Sequence, residues 1–292
     1  MIDAMRSIVS LISHATVALA GSLAVAGCSL SPQPDHDTAA TTPERLEARI
    51  HKVHRFDPQA FTQGLELDGD RLLVSTGFYG ESGMFSMEVG NAPQQRTPLA
   101  PELFGEGITK TGDHIWQLTW RDGIAFKRDA TTFQQLGTVS YEGEGWGLCH
   151  FDDRVIMSNG SDELIIRDPE SFDERSRIRV TNQGNGVSNQ GNGVSNLNEL
   201  ECVPNDPATG KDTIYANVFL STDIMRIDAT TGAVTGIIDA SSIPNNAVAD
   251  TNNVLNGIAW IPSSDRFYIT GKRWPDLYEV TFVSKMSNHG QS

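Results

Sequence analysis

Gln63, Glu106, Trp146, Asn198 and Asn256 occupy one equivalent position in five copies of a repeated pattern. The copies read QGLELDGDRLLVSTG, EGITKTGDHIWQLTW, WGLCHFDDRVIMSNG, NELECVPNDPATGKDTIYANVF and NGIAWIPSSDRFYITGK, and recur about every 40 to 58 residues. In each, an aliphatic residue two places on (Leu65, Ile108, Leu148, Leu200, Ile258) leads to a turn ending in Asp, then to a second apolar run. Repetition at this period makes a closed array of similar units, in which residues at one repeat position meet around an axis. A carboxylate, three amides and an indole gathered there have the composition of a ligand site rather than of a packing layer. Glu106 is the one carboxylate of that ring, and burial among aromatic groups would raise its pKa toward the working range of proton transfer. Each residue also has a plainer reading. Glu106 would be a rim carboxylate paired with Lys272, the tryptophans blade-packing aromatics, and Asn198 and Asn256 hydrogen-bonders of loops.

The elements that must position these groups read as β structure. A short strand follows each ring residue, then a Gly/Asp turn, an apolar second strand, another turn and an alternating third strand such as Met84 to Val89 or Leu277 to Phe282. Short strands at even spacing favour a barrel, sandwich or propeller, and about 45 residues with three or four strands fit a propeller blade best. The expectation is an all-β fold, a five-bladed β-propeller over residues 49–285. The fifth copy runs out soon after Phe282, so residues 49–55 are expected to supply its missing outer strand and remove an open edge. In a blade the second strand returns to the face where the first begins. Its closing residues, Gly77, Trp120, Gly160, Phe219 and Lys272, should therefore lie beside the ring. Aromatic walls with a few directed polar groups are the usual form of a small-ligand site.

FTQGLE (61–66), FGEGIT (104–109), QLTWRDG (117–123), GEGWGL (143–148), NLNELE (196–201), YANV (215–218), VLNGIAW (254–260) and TGKRWP (270–275) together resemble the plant-type glutaminyl cyclases, glutamine cyclotransferases that also occur in bacteria. The resemblance runs in order through every copy, over roughly residues 50 to 282. It implies conversion of N-terminal glutaminyl residues of peptides or proteins to pyroglutamyl, with release of ammonia. Carried over by motif, Glu106 is the acid/base, with Gln63, Trp120, Trp146, Asn198, Phe219 and Lys272 around the substrate. The chain departs from the family pattern at Phe219, where Trp is usual, and in a tandem NQGNGVS (182–188 and 189–195) ahead of NLNELE.

That chemistry asks for what the ring offers. The peptide's own α-amine must attack its side-chain amide carbon, and with a free pKa of ~7.7–8.0 it must first lose a proton. Ammonia leaves only if the amide nitrogen gains one. A single carboxylate can carry the proton between the two, while Lys272 or the amides of Gln63 and Asn198 can hydrogen-bond the oxygen that becomes negative. No metal or organic cofactor is required, although a structural calcium on backbone carbonyls is compatible with the sequence. A calcium-dependent propeller hydrolase would want several carboxylates in the ring, where only Glu106 stands. The other alternative is a non-catalytic propeller lipoprotein acting as a binding or scaffold module in the envelope.

Composition sets the remaining bounds. At 292 residues, 38% hydrophobic and −15 in net charge, the chain can bury a substantial core and has no basic stripe for nucleic acid. Gly143, Gly145 and Gly147 form no phosphate loop, since no Lys-Ser/Thr follows. Arg6, an apolar stretch from Ile8 to Ala26 and Val25-Ala26-Gly27-Cys28 follow the order of an export signal and resemble a bacterial lipobox, with lipidation at Cys28. Residues 1–28 are thus expected to be a lipoprotein-type signal peptide, 29–48 a flexible tether and 286–292 a disordered tail. The expected setting is the bacterial cell envelope or periplasm, as a monomer meeting the membrane only through that anchor. Cys149 and Cys202 lie near the starts of first strands in neighbouring copies. A bridge is possible there, but two buried free thiols are the favoured reading.

Overall fold

The computed structural model describes residues 42–182 and 191–285. Cys28 and the signal segment, residues 29–41, the central part of the NQGNGVS duplication and the tail 286–292 lie outside the described residues. Among those described there is no helix.

The chain enters through β1 (Glu44–Arg55), and then runs through successive up-and-down sets of antiparallel strands. The first set is β2 (Thr62–Asp68), β3 (Arg71–Thr76), β4 (Gly83–Glu88) and β5 (Arg96–Pro98). The second is β6 (Gly105–Thr111), β7 (His114–Thr119), β8 (Ile124–Asp129) and β9 (Gln135–Ser140). The third is β10 (Leu148–Phe151), β11 (Arg154–Met157), β12 (Glu163–Arg167) and β13 (Glu174–Arg179). A small ladder, β14 (Thr181–Asn182) with β15 (Asn192–Gly193), precedes the fourth set of β16 (Leu197–Asp206), β17 (Lys211–Val218), β18 (Asp223–Asp228) and β19 (Val234–Asp239). Last come β20 (Leu255–Trp260), β21 (Arg266–Gly271) and β22 (Asp276–Ser284). The first three sets are separate four-stranded sheets, and the fourth and fifth are fused into one eight-stranded sheet with β1 in its middle. The first strands touch one another in a closed circuit, β2 to β6 to β10 to β16 to β20 and back to β2.

β1 supplies the outer strand that the fifth copy lacks. It pairs antiparallel with β22 from Leu46↔Ser284 to Arg55↔Asp276, and also parallel with β19 through Glu44↔Gly236 to Glu47↔Asp239. The regular structure therefore begins at Glu44. This corrects the expected tether of residues 29–48, because the alternation of buried Leu46 and Ala48 already belongs to a paired strand.

The core lies between sheets rather than within one. Leu65, Leu72, Val74, Phe85 and Met87 of the first set pack on Ala259 and Leu277 of the fifth. Ile156 and Leu164 of the third pack on Leu200, Ile214 and Met225 of the fourth. Second strands are covered on both faces, as β7 shows with every residue buried, whereas the outer strands β9 and β13 are largely exposed. Within this interior Cys149 of β10 and Cys202 of β16 form a disulfide, Cα to Cα 5.3 Å. That corrects the reading of two free thiols. β10 and β16 are neighbours in the inner circuit, and Cys149, three residues after Trp146, meets Cys202, four residues after Asn198, across the space between the two strands.

Candidate active site

Why the ring residues point inward is visible in the strand register. Gln63, Glu106, Asn198 and Asn256 each fall where the pairing of the first strand slips: Thr62/Gly64, Gly105/Ile108, Leu197/Leu200 and Leu255/Ile258. A bulge of this kind re-aims one side chain without ending the strand. The residue after the ring position is Gly64, Gly107, Gly147 or Gly257 in four of the five copies. A Cβ at Gly107 would sit 2.6 Å from the Leu148 backbone nitrogen, and one at Gly147 would sit 2.1 Å from the Asn198 carbonyl oxygen. Glycine here lets neighbouring inner strands touch backbone to backbone.

The ring opens into a cavity of about 260 Å³ lined by Gln63, Glu106, Trp120, Trp146, Asn198, Phe219 and Lys272, with Phe61, Phe78, Phe104 and Asn252. All seven residues singled out in the sequence thus face one space. Asn256 does not line it. Its amide donates to the Thr62 carbonyl (3.0 Å) and to Gln63 Oε1 (3.1 Å) from beneath. Gln63 in turn donates from Nε2 to Glu106 Oε1 at 3.0 Å. This chain of amides fixes the carboxylate, so the Gln63 amide is engaged rather than free for substrate oxygen as expected. Asn198 has no hydrogen bond from its own amide to any described residue and presents it to the cavity.

Glu106 is buried, and burial pushes its carboxyl well above the usual range, with the charge of Glu144 acting the same way and Lys272 opposing. It is therefore not the solvated rim carboxylate of the plainer reading. Lys272 is also buried. Loss of water lowers its ammonium to about 8 against the pull of Glu106. Its Nζ lies between two aromatic faces, 5.0 Å from the Phe61 centroid and 4.9 Å from that of Phe219. Phe219 also meets Trp146 edge-on at 5.7 Å, so the residue standing in the family's Trp position still forms a wall. The second-ring glycines give the walls room: a Cβ on Gly77 would strike Phe104 at 2.2 Å, and one on Gly160 would strike Trp146 at 2.6 Å.

Two features were not read from the sequence. Glu144, in the loop before β10, accepts from both Trp120 Nε1 (2.8 Å) and Trp146 Nε1 (3.0 Å). Its neighbour two residues on is Trp146 itself, the one signal that could have raised it. Below the ring, Glu199, Glu201 and Glu66 form a buried acidic stack. Glu199 follows Asn198 directly on β16. It takes the place that glycine holds in the other copies and accepts the backbone N–H groups of Leu65 (3.1 Å) and Ile258 (2.8 Å). Glu201 accepts from Trp260 N at 3.1 Å. Burial raises all three carboxyls. Among the described residues no group of three or more His, Cys, Asp or Glu side chains is placed to hold a metal ion.

These features define an all-β protein with an inner circuit of strands and an aromatic-walled cavity that holds a buried carboxyl and a buried amine. Residues 19–282 match the family model described as glutamine cyclotransferase. The chain is 31% identical over 240 residues to the glutaminyl-peptide cyclotransferase of Arabidopsis thaliana, covering 80% of this chain and 71% of that one. It superposes on the crystal structure of Myxococcus xanthus glutaminyl cyclase with a TM-score of 0.74 and 33% identity, covering 84% of this chain and all of the other. The chain belongs to the glutamine cyclotransferase family.

Proposed function

We propose that this protein is a glutaminyl-peptide cyclotransferase, which closes N-terminal glutaminyl residues of peptides and proteins to pyroglutamyl residues and releases ammonia at the centre of a five-bladed β-propeller. The observation that carries the reading is Glu106: a buried carboxylate with a raised pKa, oriented by Gln63 and facing an aromatic cavity that also holds Lys272. The closed circuit of five first strands supports the blade count.

In the reaction the α-amine nitrogen bonds to the side-chain amide carbon and the carbon–nitrogen bond of that amide breaks. Glu106 accepts a proton from the attacking amine and returns it to the departing nitrogen, which leaves as ammonia. The raised pKa suits both halves, since a carboxylate that holds its proton more tightly is a better base and can still give the proton up. Lys272 and Asn198, neither hydrogen-bonded through its side chain to another polar side chain among the described residues, face the place where the carbonyl oxygen becomes an oxyanion. Trp120, Trp146 and Phe219 exclude water and hold the flexible glutaminyl chain folded back on its own amine.

Ammonia release from a Gln-initiated dipeptide tests the proposal. Glu106→Gln should leave folding intact and lower kcat by at least ~10², and a chelator should change nothing. Full turnover by the variant would remove Glu106 from its role, absence of turnover by the wild type would favour the non-catalytic scaffold, and inhibition by chelator would favour a metal mechanism. We place the protein in the bacterial cell envelope, anchored by lipid at Cys28 and monomeric. The Cys149–Cys202 disulfide supports an oxidising compartment. Loss of membrane association in Cys28→Ser checks the anchor.

A further inference from the structure

We propose that Glu144 is a positioning residue for the cyclisation, a single carboxylate that ties the tryptophan walls of two neighbouring sheets together and so sets the shape of the cavity. The inference rests on the cyclase reading for its catalytic consequence, and on geometry alone for the tie itself.

Trp120 follows the end of β7, and Trp146 precedes β10, so the two indoles are delivered by different sheets. Both point their single N–H at one oxygen, Glu144 Oε2, at 2.8 and 3.0 Å. The other oxygen accepts from Arg121 Nε at 2.9 Å. The Arg121 guanidinium lies over the Trp120 ring, 3.7 Å from its centroid. Trp120 is thus held at its edge by Glu144 and on one face by Arg121. Trp146 is held at its edge by Glu144 and on its face by Gly160.

Three donors converge on this group and no donor belongs to it, which is the pattern only an ionised carboxylate can satisfy. Glutamine cannot replace it. With its oxygen on the indoles, its NH₂ meets the Arg121 N–H; turned over, its NH₂ meets both indoles. Burial works against the charge, but the hydrogen bonds from Trp146, Arg121 and Trp120 outweigh it and hold Glu144 below the usual carboxylate range. Glu144 does not line the cavity, so its action passes through the two rings.

A second consequence is electrostatic. The charged or titratable groups that act on or beside Glu106 are Lys272 between β21 and β22, Glu144 before β10 and Tyr141 after β9. Removing the Glu144 charge leaves Lys272 unopposed and lowers the pKa of Glu106. The acid limb of kcat/KM then moves to lower pH.

The experiment uses the whole protein. The indole ¹⁵N–¹H signals of Trp120 and Trp146 are assigned with Trp120→Phe and Trp146→Phe, and turnover of a Gln-initiated dipeptide is followed across pH. In Glu144→Gln both indole signals should shift, kcat/KM should fall roughly tenfold, and the acid limb should move down. Glu144→Asp should keep the limb near its wild-type place and recover part of the activity. Unmoved indole signals, or moved signals with unchanged kcat/KM, would overturn the proposal. Should Glu144→Gln not fold, the wild type decides. On acidification both indole signals should titrate together with one apparent pKa below the ordinary glutamate value, and separate or absent titrations would sink the tie. A wild type without cyclase activity would remove the functional reading, while the indole signals still judge the tie.

Discussion

Lys272 sits between two benzene faces with its charge weakened to the point where about pH 8 removes it. It holds down the proton affinity of Glu106, so the sign of its deletion is fixed. In Lys272→Met the Glu106 carboxyl rises further, and the acid limb of kcat/KM moves to higher pH, opposite to the shift expected at Glu144. If Lys272 also meets the oxyanion, kcat drops by roughly 10²–10³ at the plateau. A pH–rate profile of that variant checks both. The ring and its second tier were legible in the sequence because each residue recurs at a fixed repeat position. Glu144 was not, since it belongs to neither aligned position and its role exists only once Trp120 arrives from another sheet.

At the scale of the strand, the inner edge does two jobs: in four copies a bulge aims the ring residue, and in four a glycine beside it admits the next strand. The copies announced this as Gln-Gly, Glu-Gly, Trp-Gly and Asn-Gly. Asn198-Glu199 broke the pattern, and the reason could not be seen in one dimension. The Glu199 carboxylate caps two backbone N–H groups across the axis. Beneath it Glu201 and Glu66 repel one another in a buried place. The folded chain holds these protons more tightly than the unfolded one. Their contribution to stability is therefore complete below the ordinary glutamate value of ~4.3 and is lost as pH rises through the raised values. Glu201→Gln keeps the acceptor for Trp260 N and removes the charge. Its melting temperature should exceed wild type by roughly 2–4 °C at pH 8, the shift about 1 kcal/mol produces in a domain of this size, and match it near pH 4. A pair of thermal scans decides this.

For the molecule as a whole, sheets meet face to face and two of them are also joined covalently. The Cys149–Cys202 bridge spans 53 residues, and loop entropy assigns such a closure about 4 kcal/mol. Reduction, or Cys149→Ala with Cys202→Ala, should lower the melting temperature by roughly 8–16 °C while cyclisation at 25 °C persists, because neither sulfur lines the upper cavity. The all-β class and the N-terminal closing strand were readable from period and from the unfilled last copy. The bridge was not, because spacing along the chain says nothing of height along the axis.

β1 lies between β19 and β22, strands contributed by the last two copies. A segment made early in synthesis must therefore wait, unpaired, until almost everything downstream has emerged. A chain threaded outward N-terminus first would keep its final seam open until its own end had crossed. Under the proposed export, that closure would come only on the far side of the membrane.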